Sequence, residues 1–282
     1  MDNTYTLQQE QIIRDNYSDF GPKYCGKLIG KHPEAVGAKA RRMGIQKVGH
    51  RKHPTMQKIN PEQFWSITKP EIAYFLGYFW ADGNIIYQKI RTSNSYAICM
   101  EIASEDANDI MPIMNNIGQW AINSRKRQKN WKETTTFSTN SKDIFEFMFA
   151  HDYKTKSFSE PTKILEKIPE SLKPYWWRGY FDGDGSLYIS EKGRSKCLQF
   201  SSTFNYKWIE TIKLFKELLI DNQSIFEAES KLGHKSSKIS LFSKDSIHKL
   251  ISYLRKSNLG LKRKTLKMEE FYKRFPFIYS LE

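Results

Sequence analysis

The chain has 282 residues with 45 Lys and Arg against 31 Asp and Glu, a formal net charge of +14 and a pI near 9.5, and this balance predicts a polyanionic partner. Its 14% of aromatic residues and its alternating segments exclude a disordered basic tail. The three cysteines have neither the spacing of a zinc site nor the even number of a disulfide framework. Because the chain lacks a membrane-spanning run and a signal-peptide core, we expect an intracellular protein without a membrane partner.

Residues 4 to 45 have the pattern of three short helices, the third of which starts at Pro33 and stops at Gly44. The basic residues of the third helix and of the stretch after it are predicted to face phosphate: Lys39, Arg41, Arg42, Lys47, Arg51 and Lys52. The pattern resembles a Myb-like helix-turn-helix module, whose third helix enters a major groove. A three-helix protein-interaction domain has the same periodicity, but the basic third helix favours a DNA-binding module at 1–47, followed by a basic linker at 48–60.

Two later stretches, 75–83 and 177–185, are apolar, aromatic-rich runs that each end in Asp-Gly. Read at helical period, small residues fall on one stripe of each run, namely Gly77, Ala81, Gly179 and Gly183. Small residues four apart let two helix backbones approach closely, and the apolar flanks supply burial. The sequence therefore predicts two helices that pack against each other through these four residues.

Asp82 and Asp184 are predicted to lie at the C-termini of these helices, because Gly83 and Gly185 are the expected helix terminators. A carboxylate is disfavoured at the negative end of a helix dipole, and two that approach each other raise the cost. Divalent cations relieve both effects, and hard oxygen ligands suit magnesium. An ordinary turn would explain one Asp-Gly pair, but two copies 102 residues apart indicate a duplicated module.

Both stretches resemble the LAGLIDADG signature of homing endonucleases, and the resemblance covers roughly residues 61 to 282. The second copy, Gly-Tyr-Phe-Asp-Gly-Asp-Gly at 179–185, is the closer match, whereas the first has Trp80 at the place of Asp182. The resemblance implies an α/β (α+β) fold of two pseudo-symmetric αββαββα halves, at 61–165 and 166–282. It also implies that the motif helices form the interface, that each sheet lies on DNA, and that carbonyls of Ala81 and Gly183 add metal ligands.

The predicted strands and hairpin turns of both halves carry basic residues at matching places. In the first half these are Lys89, Arg91, Arg125, Lys126 and Arg127, and in the second half they are Lys192, Arg194, Lys196, Lys231, Lys235 and Lys238. Taken singly, each of these residues is typical of a solvated surface charge. Their recurrence in both halves favours a sheet surface that contacts the DNA backbone.

A second internal match places a lysine near the end of each half, Lys156 in the first and Lys264 in the second. The family resemblance implies that a lysine in this region stabilises charge on the scissile phosphate or organises the attacking water. The neighbouring Lys154 and Lys262 could fill the same role.

These observations predict a monomeric, site-specific endonuclease that hydrolyses phosphodiester bonds on both strands of a long double-stranded DNA site. The predicted cofactor is Mg²⁺ or Mn²⁺, held by Asp82 and Asp184. An intron-encoded mobile element of this kind would act in a bacterium, a phage-infected cell or an organelle. Two alternatives stay open: a maturase that binds its host intron RNA, and a non-cleaving transcription regulator that uses only the helix-turn-helix.

Overall fold

The computed structural model describes residues 5–45, 59–90, 93–126, 130–153, 160–190, 197–220, 223–229 and 235–276. The chain divides into two compact units, Met1–Gln57 and Lys58–Glu282. Each unit has its own hydrophobic core. Within the described residues, no helix combines the length and the apolar character that crossing a bilayer requires.

The N-terminal unit consists of helices α1, Leu7–Ile29, and α2, Pro33–Arg42. Thr6 begins α1 with a reciprocal capping box to Gln9. Gly21, with a φ of 73°, interrupts α1, so that the unit is three helices, as expected. The first helical piece passes its predicted end near Tyr17 and continues to this glycine, because Gly21 supplies the positive φ that turns the chain into Pro22. The small core consists of Ile13, Tyr17, Cys25, Ile29, Val36 and Ala40.

The larger unit repeats one order of elements twice. The first half comprises α3 (Glu62–Ser66), α4 (Pro70–Asp82), β1 (Gly83–Ile90), β2 (Ser93–Ala103), α5 (Ala107–Ile117), β3 (Ala121–Arg125), β4 (Thr134–Thr139) and α6 (Lys142–Ala150). The second half comprises α7 (Thr162–Lys167), α8 (Lys173–Asp184), β5 (Gly185–Ser190), β6 (Cys197–Asn205), α9 (Glu210–Glu217), β7 (Gln223–Glu229), β8 (Lys235–Leu241), α10 (Lys244–Leu254) and α11 (Lys262–Arg274). The αββαββα order predicted for both halves is confirmed. The boundary predicted between residues 165 and 166 lies within α7.

Each half has one antiparallel four-stranded sheet, in the orders β1-β2-β4-β3 and β5-β6-β8-β7. Strand β4 shows why each sheet has two unlike faces: Thr135, Phe137 and Thr139 are buried, whereas the residues between them are half-exposed. Alternate side chains of a strand point to opposite faces, so one face packs on the helices and the other stays open. The open faces are mixed, with polar side chains beside exposed Ile86, Tyr188 and Phe226, and both begin at the ends of the motif helices.

Four stretches of the larger unit depart from expectation. The helix predicted from Asn205 begins only at Glu210, because Asn205 still belongs to β6 and its side chain accepts the backbone N–H of Lys207 in a turn. The short helices α3 and α7 were not predicted. Helix α11 was not predicted either, although it carries Lys264.

Candidate active site

Helices α4 and α8 touch through their backbones at the two predicted glycines. A Cβ atom added to Gly77 would lie 1.8 Å from the carbonyl oxygen of Trp176, and one added to Gly179 would lie 2.1 Å from that of Tyr74. No other residue type leaves room for this approach, because a real Cβ atom needs more than about 3 Å. The structure therefore brings together the stripe that the helical periodicity indicated.

The ends of the two helices are also in contact. A Cβ atom on Gly183 would lie 2.3 Å from the Ala81 Cβ and 3.3 Å from the Oδ2 atom of Asp82. Asp82 and Asp184 are the last residues of α4 and α8, and both are half-buried. The carboxylate of the first motif thus reaches the end of the second motif helix.

The glycines after the aspartates differ from the expected helix terminators. Gly83 and Gly185 have extended backbones, with φ of −76° and −91°, and each is the first residue of a strand. Glycine is required there for closeness, because a Cβ atom would lie 2.4 Å from the Phe79 carbonyl oxygen in the first half and 2.5 Å from the Phe181 carbonyl oxygen in the second. The helices therefore run directly into β1 and β5, which aims each aspartate at the edge of a sheet.

The carboxylates of Asp82 and Asp184 raise the pKa of buried tyrosines nearby. Burial raises the pKa of Tyr153, and the charges of both Asp82 and Asp184 raise it further. Burial and then Asp82 raise the pKa of Tyr78, while burial and then Asp184 raise that of Tyr180. Because both aspartates act on the pKa of Tyr153, the two carboxylates lie near the same side chain.

Lys264 places a cation at the end of α8. Its Nζ atom donates to the carbonyl oxygens of Phe181 at 2.8 Å, Asp182 at 2.5 Å and Gly185 at 2.7 Å. These carbonyls belong to the last helical turn and the first strand residue, where a positive charge is favoured by the helix dipole. Burial lowers the pKa of Lys264 to about 8, although the charge of Asp182 acts to raise it. Its predicted counterpart Lys156 lies outside the described residues.

Tyr153 occupies the matching position in the first half, which the sequence did not indicate. Its hydroxyl lies 2.7 Å from the carbonyl oxygen of Gly83 and 3.3 Å from that of Phe79. These two carbonyls correspond to the Gly185 and Phe181 carbonyls that Lys264 contacts. A neutral phenol therefore caps one motif helix, whereas an ammonium caps the other.

A buried ion pair distinguishes the second motif helix. Arg178 and Asp182 have side chains that are 2% and 0% exposed, and the Nε atom of Arg178 lies 3.1 Å from both carboxylate oxygens of Asp182. Asp182 also accepts from the hydroxyl of Tyr74 and from the backbone N–H of Leu261. At the place of Asp182, the first motif has Trp80, which packs on Tyr153 with ring centroids 4.9 Å apart.

Removing either Arg178 or Asp182 from their buried ion pair should lower the stability of the protein. We expect Asp182→Leu to destabilise the protein by about 3 to 5 kcal/mol, because it leaves the Arg178 guanidinium buried without its carboxylate. The double variant Arg178→Leu with Asp182→Leu should lose less than the sum of the two single losses, since it removes both charges together. Urea unfolding of the three variants measures this, and strictly additive losses would contradict a coupled pair.

One cleft follows the open face of the first sheet from Asp82, and a smaller one lies between the motif helices and the ends of β6 and β8, beside Asp184. The first, of about 620 Å³, is lined by Asp82, Asn84, Ile86, Cys99, Glu101, Asn123, Arg125, Thr136 and Ser138. The second, of about 150 Å³, is lined by Trp80, Ala81, Tyr180, Asp184, Thr203, Phe204, Asn205, Trp208, Lys235 and Ser236. The neutral polar residues of these faces were missed, because alternation alone does not say which face of a strand is open.

The basic residues predicted to contact DNA lie in different surroundings in the structure. Arg125 lies in the first cleft and pairs with Glu101 at 3.2 Å, while Lys126 is exposed. Lys235 and Lys238 are exposed on β8, and Lys89 belongs to β1. Ten predicted residues lie outside the described ranges, namely Lys47, Arg51, Lys52, Arg91, Arg127, Lys156, Lys192, Arg194, Lys196 and Lys231.

In the N-terminal unit, Arg41 and Arg42 are exposed at the end of α2. Lys39, predicted to be available to phosphate, instead forms an ion pair with Glu10 and lies over the ring of Tyr5. It points inward because its position on α2 faces α1. The exposed cationic surface of α2 is therefore formed by the two arginines.

The carboxylates of Asp82 and Asp184 lie at the helix ends, and the carbonyls of Ala81 and Gly183 stay a prediction as further metal ligands. Over the described residues, no cluster of three or more His, Cys, Asp or Glu side chains is arranged to hold a metal ion. A metal bound at the helix ends would therefore keep positions for water or for oxygens of a substrate.

No protein-family model matches the chain. It is 26% identical over 172 residues to an uncharacterized protein of Methanocaldococcus jannaschii, MJ0398, and the match spans 59% of this chain and 55% of that protein's length. Among solved structures, it is similar to the LAGLIDADG meganuclease I-AabMI bound to uncleaved DNA, at 13% identity and a TM-score of 0.47, over 73% of this chain and 90% of that chain. It is also similar to variants of the homing endonuclease I-DmoI, at 15% identity and a TM-score of 0.48, over 71% of this chain and 97% of that chain.

Proposed function

We propose that the chain is a site-specific DNA endonuclease of the LAGLIDADG homing type, which hydrolyses phosphodiester bonds on both strands of a long duplex site. The observation that carries this proposal is the pair Asp82 and Asp184, held at the ends of two helices whose backbones touch. Asp82 opens onto a cleft along the first antiparallel sheet, and Asp184 lines a smaller cleft beside β6 and β8 of the second sheet. One chain thus offers two carboxylates and two sheet faces, which suits a monomer that acts on two strands.

The oxygen donors at the helix ends fit Mg²⁺ or Mn²⁺. Asp82 and Asp184 would hold the ion, with the carbonyls of Ala81 and Gly183 as further ligands. The fit rests on the closeness of the Asp82 carboxylate to Gly183 and on the negative field that both aspartates impose on Tyr153. When bound, the metal would polarise the phosphate and lower the pKa of a coordinated water.

The residues of the chain have separate tasks in this proposal. The two aspartates hold negative charge at helix ends that disfavour it, so these helix ends attract a cation. Lys264 lies at the end of α8 beside Asp184, where its ammonium favours the negative charge that develops on a scissile phosphate. Lys156 is proposed for the same task in the first half.

The DNA contacts follow from the open faces of the sheets. The described basic residues Arg125, Lys126, Lys235 and Lys238 would contact phosphates, while the neutral polar residues of the clefts would contact base edges. The proposed helix-turn-helix of the N-terminal unit, through Arg41 and Arg42, would add contacts to one flank of the site. The net charge of +14 agrees with a polyanionic partner. We place this activity inside the cell.

Selection from a randomised duplex library in the presence of Mg²⁺ tests the proposal. We expect recovery of one long asymmetric sequence cut on both strands, and loss of cutting when EDTA replaces the metal. Recovery of no cleaved sequence would overturn the assignment as a nuclease. A parallel assay of intron splicing would then test an RNA-binding role for the same sheet faces.

Deleting residues 1–57 should weaken binding without removing cleavage. The N-terminal unit has its own core, so its removal leaves the core of the larger unit intact. Fewer released counterions should lower the slope of log affinity against log salt by about 0.9 for each phosphate that the N-terminal unit neutralises in the full chain. Binding titrations at several salt concentrations measure this slope. A folded truncation that cannot cut at any protein concentration would contradict a purely DNA-binding role for the unit.

A further inference from the structure

Five consecutive residues, 261–265, each have an anchor of their own. The backbone N–H of Leu261 donates to Asp182 at 2.9 Å, and that of Lys262 donates to Asp109 at 2.7 Å. The guanidinium of Arg263 forms three hydrogen bonds with the carboxylate of Asp106, at 2.8 to 3.1 Å. Lys264 caps α8 through three carbonyls, and the hydroxyl of Thr265 accepts from Arg178 at 2.7 Å. We call residues 261–265 the anchored turn.

The anchors come from both halves of the larger unit. Asp106 and Asp109 lie in the first half, before and within α5, whereas Asp182 and Arg178 lie on α8 of the second half. The Asp106 side chain is 4% exposed and that of Arg263 is 52% exposed, so this ion pair is partly shielded from solvent. A bidentate pair with one buried partner holds its geometry better than an exposed pair does.

Gly260, the residue before the anchored turn, packs directly against the guanidinium of Arg178. Gly260 has a φ of +151°, and a Cβ atom there would lie 2.3 Å from the Nη2 atom of Arg178. The buried ion pair of Arg178 and Asp182 therefore lies against the start of α11 and holds its first turn on both sides.

The first half caps its motif helix by other means. There the hydroxyl of Tyr153 contacts the Phe79 and Gly83 carbonyls, and Trp80 packs on the tyrosine ring. This aromatic cap is built from residues of the first half. The hydrogen bonds to the Phe79 and Gly83 carbonyls come from Tyr153 and not from the anchored turn. A change in the anchored turn should therefore move Lys264 and leave the Tyr153 cap in place.

We propose that Asp106 and Arg263 are positioning residues, which lock the anchored turn to the first half and thereby hold Lys264 at the end of α8, for cleavage of one DNA strand only. This inference rests on the proposed function. It predicts that loosening the anchored turn converts a double-strand cutter into an enzyme that nicks one strand much faster than the other.

The experiment follows each strand of the selected duplex with its own end label, under single-turnover conditions. Lys264→Met identifies the strand that depends on this lysine. Arg263→Met should slow the same strand by about a hundredfold, since a displacement of about 1 Å can cost that much, while the other strand changes by less than about threefold. The matched control is Arg274→Met, which removes one positive charge from the other end of α11 and should leave both rates unchanged.

A conservative variant separates positioning from general damage. Arg263→Lys keeps the charge but not the bidentate geometry, so it should recover part of the rate on the affected strand. Equal slowing of both strands, or slowing of the strand that Lys264→Met spares, would overturn the proposal. If Arg263→Met does not fold, Asp109→Asn weakens only the hydrogen bond to Lys262 and should give the same strand bias on a smaller scale.

A second readout needs neither DNA nor metal. Acetylation of Lys264, followed by mass spectrometry, should be slow in the unmodified protein, because its Nζ atom is held by three carbonyls. It should be faster in Arg263→Met and unchanged in Arg274→Met. If the unmodified protein cuts no DNA while the acetylation rates differ as expected, the proposed function fails and the anchoring stands. Equal acetylation in all three proteins would overturn the anchoring itself.

Discussion

Asp82→Asn and Asp184→Asn are each expected to abolish cleavage of both strands. The amide keeps the shape of the side chain but loses the negative charge that would hold a divalent cation. Because the Asp82 carboxylate reaches Gly183 of the other motif helix, each substitution should affect a shared site. Loss of several kcal/mol of charge stabilisation lowers a rate by about a thousandfold or more. Single-turnover cleavage with Mg²⁺ measures this effect.

Folding and DNA binding should survive these two substitutions. Removing a carboxylate from a helix C-terminus relieves an unfavourable dipole interaction, so thermal stability without metal should stay the same or rise. Gel-shift affinity for the selected site should change little. The matched control is Asp245→Asn, an exposed aspartate in the first turn of α10, which should cut at the normal rate. Full cutting by either motif variant would refute the assignment of these aspartates.

Gly77→Ala and Gly179→Ala should each cause a large loss of stability. The added methyl groups would lie 1.8 Å and 2.1 Å from carbonyl oxygens of the facing helix, and these backbone atoms cannot rotate away as a side chain could. Overpacking costs about 1 to 3 kcal/mol when side chains can adjust, so we expect about 3 kcal/mol or more here. For a unit of this size that corresponds to a fall in Tm of roughly 6 to 12 °C.

Activity should fall together with stability in the glycine variants, because separated helices also separate Asp82 from Asp184. Gly37→Ala provides the control, since its methyl group would meet the hydroxyl of Tyr17 at an ordinary 3.6 Å and alanine favours a helix. Thermal melts without metal, followed by cleavage assays below the melting range, measure both effects. Unchanged melting of both interface variants would mean that α4 and α8 do not meet through these residues.

The amino-acid sequence by itself determined the elements that local patterns encode. Helical spacing of Gly77 and Ala81, and of Gly179 and Gly183, indicated the helix contact, since small residues on one stripe have few other uses in an aromatic-rich helix. Alternation and turn residues indicated the sheet strands, and the repeat of the motif indicated two halves of one design. These patterns are local or periodic, so they can be recognised within a single stretch of the sequence.

Tertiary structure alone decided how the site is completed. In the sequence Asp182 was only a residue of the closer motif copy, but in the structure it is a buried partner of Arg178, Tyr74 and Leu261. Lys264 and Tyr153 occupy equivalent places although their types and spacings differ, because what they share is a pair of carbonyls at a helix end. The pairing of Asp106 with Arg263 joins residues 157 positions apart. Contacts of this range depend on how the two halves pack, and no periodicity within either segment encodes them.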